Sequence, residues 1–262
     1  MFSWPYIIEV APPIKVPGYS EHRLFDQFID QYRYVSEAGC GVSIPDNPMG
    51  TPSYSCIDMF EYAGLRPDPD KVLLNLNTYH SKEELDEILE KAVGFGLRYL
   101  LIVRGDGGPH LPRLDPLSLG GTYNIATTMD LLRYINSKYE DQFVTGATFN
   151  PYKKMPLELE RAAQKLEAGA SFFITQPLIG RDPHVDDLSQ LCNKVIVGSW
   201  MSTDVDIFYK RAGRVVLGGG AEYDPQSNLE ELHREYQDSP IFLGRLDLTS
   251  DWRETLPALQ RW

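Results

Sequence analysis

Tyr99 to Asp106 read YLLIVRGD. A run of large apolar side chains, fit for a strand buried on both faces, stops at an arginine, a glycine and an aspartate. Buried parallel strands read as near-continuous apolar runs, and parallel α/β proteins carry their chemistry at the carboxyl ends of such strands. The same ending recurs along the chain: IIEVAPP at Glu9, GVSIPDN at Asp46, VLLNLNTYH at Asn75 and Asn77, and FFITQP at Gln176. Polar residues left at the same end of successive apolar strands predict an enzyme.

Strand-like runs fall near Ile7–Val10, Gly41–Ile44, Val72–Asn77, Tyr99–Val103, Phe143–Thr148, Phe172–Thr175, Lys194–Gly198 and Ile241–Leu246. Helix-like segments lie between them. Glu83–Phe95 is preceded by Ser81, with Glu84 three residues on as in a capping box, and ends at Gly94 and Gly96. Leu157–Ala168 starts after Pro156 and stops at Gly169. Alternating strands and helices of this number predict a (β/α)8 TIM barrel of the α/β class. No repeat or linker divides the chain, so residues 1–262 are expected to form a single barrel domain. Arg214–Gly220 offers a competing eighth or a ninth strand, although Gly218-Gly219-Gly220 reads as a loop. Arg104 to Tyr123 is a long Pro/Gly-rich loop, a length usually functional or mobile.

The chain has 262 residues, 42% hydrophobic and 24% charged, enough for one large domain with a sizeable core. Its 25 basic and 37 acidic residues leave a formal charge of −12. Such a balance argues against a nucleic-acid or anionic-membrane partner. No apolar run is long enough to span a bilayer, and the N-terminal MFSWPYIIEVAPP lacks the basic start of a signal peptide. Cys40, Cys56 and Cys192 are odd in number and widely spaced, which predicts reduced thiols in a cytoplasmic protein. None of His22, His80, His110, His184 and His233 has a metal-ligand spacing to another His or Cys, so no metal is expected.

Read from the residues alone, each candidate has two explanations. Glu9 is either a partly desolvated general acid at a barrel mouth or a solvated glutamate at a strand end. Asp106, after Gly105, is a ligand contact or a turn aspartate, and Arg104 either neutralises it or reaches an oxyanion. Arg161 and Lys165, four apart, share one helix face. They suit a phosphate, or they pair in solvent with Glu158 and Glu160. Gln176 reads a heterocycle edge or bonds to backbone.

Together IIEVAPP, GVSIPDN, VLLNLNT, LIVRGD, LERAAQKLEAGA and SFFITQ resemble the methylenetetrahydrofolate reductase family, in order over residues 6–176. The pairing of RGD with AGA-x-x-x-ITQ carries the resemblance; each motif alone is common. The resemblance implies a (β/α)8 barrel with FAD at its carboxyl mouth. It also implies NAD(P)H-driven reduction of 5,10-methylenetetrahydrofolate, or a related methylene-pterin, to the 5-methyl form. It assigns Glu9 as the general acid, Asp106 as the aspartate beside flavin and pterin, and Gln176 as a folate contact. It places Arg161 and Lys165 at the flavin's phosphate and ribitol, and Ala170 as the small residue in the turn behind their helix. Asn75, Arg104 and Phe149 fall on flavin-side positions. The chain departs from the family pattern at EVAPP and at Pro177-Leu178-Ile179, and its last third, about 199–262, is divergent. Trp200 and Phe208 are candidates there for the aromatic that stacks on the flavin. The rival readings are a flavin-independent reductase, a pterin-dependent methyltransferase, and a non-catalytic barrel subunit of a one-carbon enzyme complex. A homo-oligomer is compatible with each.

Overall fold

In this computed structural model the described residues are 4–15, 20–122, 124–206 and 223–257. Eight strands, all parallel where paired, close in sequence order into a barrel. They are β1 (Tyr6–Glu9), β2 (Gly41–Ile44), β3 (Val72–Leu76), β4 (Tyr99–Ile102), β5 (Val144–Phe149), β6 (Phe172–Pro177), β7 (Val195–Trp200) and β8 (Ile241–Gly244). The predicted barrel is therefore the observed one, with strand ends shifted by one or two residues. Ile241–Gly244 is the eighth strand, pairing with both β7 and β1. The alternative strand at Arg214–Gly220, including its triple glycine, lies outside the described residues, as do Tyr123 and Phe208.

Among the described residues the helices between and after the strands are α1 (Glu21–Glu37), α2 (Cys56–Tyr62), α3 (Lys82–Gly94), α4 (Thr128–Lys138), α5 (Leu157–Glu167), α6 (Pro183–Leu191), α7 (Pro225–Glu235) and, after β8, α8 (Trp252–Thr255). Their ends follow local chemistry. Ser81 and Glu84 form the expected capping box on α3, and Thr127 with Asp130 forms another on α4. Asp182 and Asp224 cap α6 and α7, each with proline at the helix start. After α5, Gly169 takes φ +104°, and Ala170 N–H reaches back to the Lys165 carbonyl at 2.9 Å. This is the left-handed glycine stop expected from the sequence. No described helix is long and apolar enough to cross a membrane.

The chain divides into two compact units. One comprises Val10–Ala147 and Lys165–Ala170. Its core is the fully buried β2, β3 and β4, covered by the apolar faces of α1 and α2, where Tyr32 and Phe60 meet edge to face at 5.0 Å. The other comprises Met1–Glu9, Thr148–Gln164 and Ser171–Trp262. Its core is built from β1, β6, β7 and β8 with Leu229 and Leu232 of α7, and Tyr6 OH bonds His233 at 2.6 Å. Cys40, Cys56 and Cys192 are buried and not in disulfides.

Candidate active site

In the first unit, the ends of β2, β3 and β4 are joined by side-chain bonds. Asn75, near the end of β3, is buried, and its Oδ1 accepts a hydrogen bond from Ser43 of β2 at 3.2 Å. Just beyond β2, Asp46 receives the Asn77 N–H at 2.9 Å on Oδ2, and its carbonyl receives Asn77 Nδ2 at 2.9 Å. The same Oδ2 lies 2.7 Å from Nε2 of His80. Burial disfavours the His80 imidazolium, but the hydrogen bond and charge of Asp46, helped by Glu84, outweigh it and raise the histidine above its ordinary value. Neighbouring Cys56 is pushed far up by burial and by Asp46 and Asp58, so it is a neutral, inert thiol.

Past β4, Arg104 and Asp106 are exposed. The Arg104 carbonyl accepts from the Thr78 hydroxyl at 2.9 Å, fixing the start of the glycine-rich loop. Gly105 and Gly107, on either side of Asp106, take φ +81° and +72°. A cavity of about 320 Å³ within this unit is lined by Asn75, Asp46, His80, Tyr79, Lys15 and Cys56, among others. Arg104 and Asp106 are not among its wall residues.

The second unit carries the remaining strand-end candidates. Glu9 is the last residue of β1 and half-buried. Phe149, the last residue of β5, is fully buried. Gln176 is half-buried near the end of β6. There the register with β7 shifts between Ile174 and Pro177, where Gly198 N–H bonds the Thr175 hydroxyl at 2.9 Å. Irregularities of this kind re-aim side chains beside functional sites. Trp200 ends β7, its indole N–H held by the Asp204 carbonyl at 2.9 Å.

Arg161, Lys165 and Ala170, expected at a flavin's phosphate, have side chains compatible with that role. On α5, Arg161 is exposed and makes one loose ion pair, 3.6 Å to Glu158, through a single guanidinium nitrogen. Five N–H donors in a rigid fork leave capacity for a phosphate. Lys165 sits one turn further along the same helix, half-buried. Ala170 is buried in the turn that follows. The turn admits little bulk, since a Cβ on Gly169 would lie 2.5 Å from Asn136 Nδ2. Asn136 itself bonds Thr145 and the carbonyls of Leu132 and Ala168.

Each sequence-predicted strand residue thus stands at or just past the carboxyl end of its strand. Within the first unit the structure links Asn75 to Ser43 and Arg104 to Thr78. Sequence reasoning missed the Asp46–His80 pair. Both residues follow strand ends, but the spacing of His80 in the sequence speaks only to metal ligation. It also missed Tyr79, against which Gly105 and Gly107 pack, and Gly50, which meets Gly107 and Gly108.

Residues 27–208 match the family methylenetetrahydrofolate reductase. Methylenetetrahydrofolate reductase 2 of Saccharomyces cerevisiae is 33% identical over 167 residues, 58% of this chain and 27% of that protein. Methylenetetrahydrofolate reductase 2 of Schizosaccharomyces pombe is 33% identical over 106 residues, 36% of this chain and 16% of that protein. The matches therefore span about a quarter or less of those relatives' length. Among solved structures, 7,8-dihydropteroate synthase from Vibrio fischeri aligns with a TM-score of 0.50 at 12% identity, covering 100% of this chain and 92% of that chain. That is a likeness of fold alone. The family match takes in every candidate residue except Glu9, which precedes it. As the match extends over more than half of the sequence, the chain belongs to the methylenetetrahydrofolate reductase family.

Proposed function

We propose that this chain reduces 5,10-methylenetetrahydrofolate, or a related methylene-pterin, to the 5-methyl form with NAD(P)H as electron donor. One observation carries the reading: the family match over residues 27–208 contains both Asp106, in the loop just past β4, and Gln176, near the carboxyl end of β6. We take residues 1–262 to work as one cytoplasmic barrel whose segment from 199 onward diverges.

The reaction consumes one hydride and one proton. Protonation of the substrate's N10, the aryl-amine nitrogen beyond the pterin ring, breaks its bond to the methylene carbon and leaves an N5 iminium. Hydride addition to that carbon then gives the methyl group. Glu9 would deliver the proton, a role usually worth about 10²–10⁴-fold in rate. Asp106 would accept hydrogen bonds from the pterin's amino group and ring N–H, and the Gln176 amide would both donate to and accept from the heterocycle edge. FAD, when bound, supplies the chemistry that takes a hydride from NAD(P)H and gives it to the methylene carbon. Arg161 and Lys165 would hold its phosphate and ribitol, with Ala170 keeping the turn behind them small. Asn75, Arg104 and Phe149 would serve the flavin side.

The test is the visible spectrum of the purified protein together with NAD(P)H oxidation on adding methylenetetrahydrofolate. Flavin bands and pterin-dependent oxidation are expected. A colourless but active protein would establish a flavin-independent reductase. No turnover, with stable co-purification of another chain, would point to a non-catalytic subunit.

A further inference from the structure

Asp106 sits in Arg104-Gly105-Asp106-Gly107-Gly108, where three glycines in five residues should make a loose loop. The surroundings say otherwise. A Cβ on Gly105 would lie 2.9 Å from both Asn77 Cβ and Tyr79 Cδ2, and one on Gly107 would lie 2.7 Å from Tyr79 Cζ and Oη. The backbone on both sides of Asp106 therefore rests on one tyrosine ring, with only hydrogen atoms between. On the far side, a Cβ on Gly50 would meet the Gly107 carbonyl oxygen at 1.5 Å, and one on Gly108 would meet the Gly50 oxygen at 2.0 Å. The loop after β2 thus closes on the loop after β4, backbone against backbone.

Tyr79 is fixed in turn. Its N–H bonds Asn77 Oδ1 at 2.7 Å, and Asn77 is tied twice to Asp46, which His80 holds. Asn77 and Thr78 are buried, Tyr79 is half-buried, and the Arg113 guanidinium lies 5.3 Å from the Tyr79 ring centroid. An unbroken path of contacts runs from the Asp46–His80 pair through Asn77 and Tyr79 to the two glycines flanking Asp106.

We propose that Tyr79 is a positioning residue for Asp106: its ring is the floor that holds an otherwise mobile glycine loop, and with it the carboxylate, in one place. The glycines are needed because nothing larger fits between loop and ring at positive φ. The ring is needed because without it those glycines regain the freedom that makes them costly to order. Its catalytic side rests on the reading in which Asp106 meets the pterin.

Two measurements on the full chain test it. Amide hydrogen exchange at Gly105 to Gly108 should speed up in Tyr79→Ala and Tyr79→Leu, and stay as in wild type in Tyr79→Phe, which keeps the ring. Unchanged exchange in folded Tyr79→Ala and Tyr79→Leu would overturn the proposal. For turnover, Tyr79→Ala should lose about 10–100-fold in kcat/KM, the scale of a misplaced catalytic contact. In an Asp106→Asn background the same change should cost little. Equal losses in both backgrounds would mean that Tyr79 acts without Asp106, and would also overturn the proposal. A wild-type chain that binds and turns over no pterin would sink the functional reading instead, while the exchange measurement still decides whether Tyr79 holds the loop.

Discussion

His80 Nε2 and Asp46 Oδ2 stand 2.7 Å apart with both side chains about nine-tenths buried, so one pair fastens the loop after β3 to the loop after β2. The charges around it are Asp46 and Glu84, which favour the imidazolium, and Lys15, which opposes it. Because the folded value is raised above the ordinary 6.5, the pair's pH-dependent stability is fully present below the unfolded value and fades as pH rises through the folded one. His80→Gln should cost about 1–3 kcal/mol, the range for a broken buried hydrogen bond. The gap to wild type should be wider near pH 5.5 than near pH 8.5, either side of the ordinary histidine value. Urea unfolding at both pH values measures it. A gap that widens towards high pH would mean His80 is neutral in the fold.

Two glycines separate backbone strain from lack of space. Gly64 takes φ +59° with open space where a Cβ would go, whereas Gly50 takes φ +69° with the Gly107 oxygen 1.5 Å from that position. Gly64→Ala carries only the left-handed penalty, about 1–2 kcal/mol. Gly50→Ala adds an overpacking cost of about 1–3 kcal/mol. Thermal unfolding should rank Gly50→Ala below Gly64→Ala; the reverse order would deny the close contact between the two loops.

The barrel was legible because its signals are local. Tyr99–Val103 reads as a strand since burial on both faces demands an uninterrupted apolar run. Ser81 and Glu84 announce α3 since a cap is a contact three residues long. Gly169 ends α5 for the same reason. The site was legible only in part. Asp46 and His80, or Gly50 and Gly107, meet because β2, β3 and β4 are neighbours in the barrel, and that adjacency leaves no mark at any single position. Glu158 shows the same limit. Sequence spacing offers it as a solvated partner for Arg161, but it is buried, with Asn150 N–H on its carboxylate at 3.3 Å.

That burial shapes the expectation for Arg161. Its guanidinium side chain is 53% exposed and its pair with Glu158 is 3.6 Å long, so the pair should contribute at most about 1 kcal/mol. Arg161→Ala combined with Lys165→Ala should lower the flavin retained through purification in a chain that still folds. Full flavin occupancy in the folded double variant would return both cations to a solvent-facing or ion-pairing role.

Glu9→Gln separates two half-reactions. Flavin reduction by NAD(P)H needs no proton from Glu9, whereas opening the imidazolidine ring does. The substitution should spare the first and slow the second by about 10²–10⁴-fold. Stopped-flow traces of each half-reaction decide it, and equal slowing of both would make Glu9 a structural residue at the end of β1.

Asp106→Asn tests the centre of the functional reading. Gly105 and Gly107 pack on the Tyr79 ring through their backbone, whichever side chain residue 106 carries. Asparagine has nearly the shape of aspartate, so that packing should persist in the variant. What changes is charge and acceptor capacity. A carboxylate beside the flavin pyrimidine repels the anionic reduced form and lowers the reduction potential; the amide should raise it. A carboxylate also accepts from the pterin's amino group and ring N–H together, while an amide presents one oxygen to that edge and turns a donor towards the rest. Pterin binding should weaken by about 1.5–3 kcal/mol, the worth of a hydrogen bond to a charged group. The two effects come from different ligands, so a redox titration and a pterin titration on the same variant are independent. If the potential rises but binding holds, Asp106 faces the flavin alone. If binding weakens but the potential holds, it faces the pterin alone. If neither moves, Asp106 is a turn residue, and the end of β4 is not where this barrel does its chemistry.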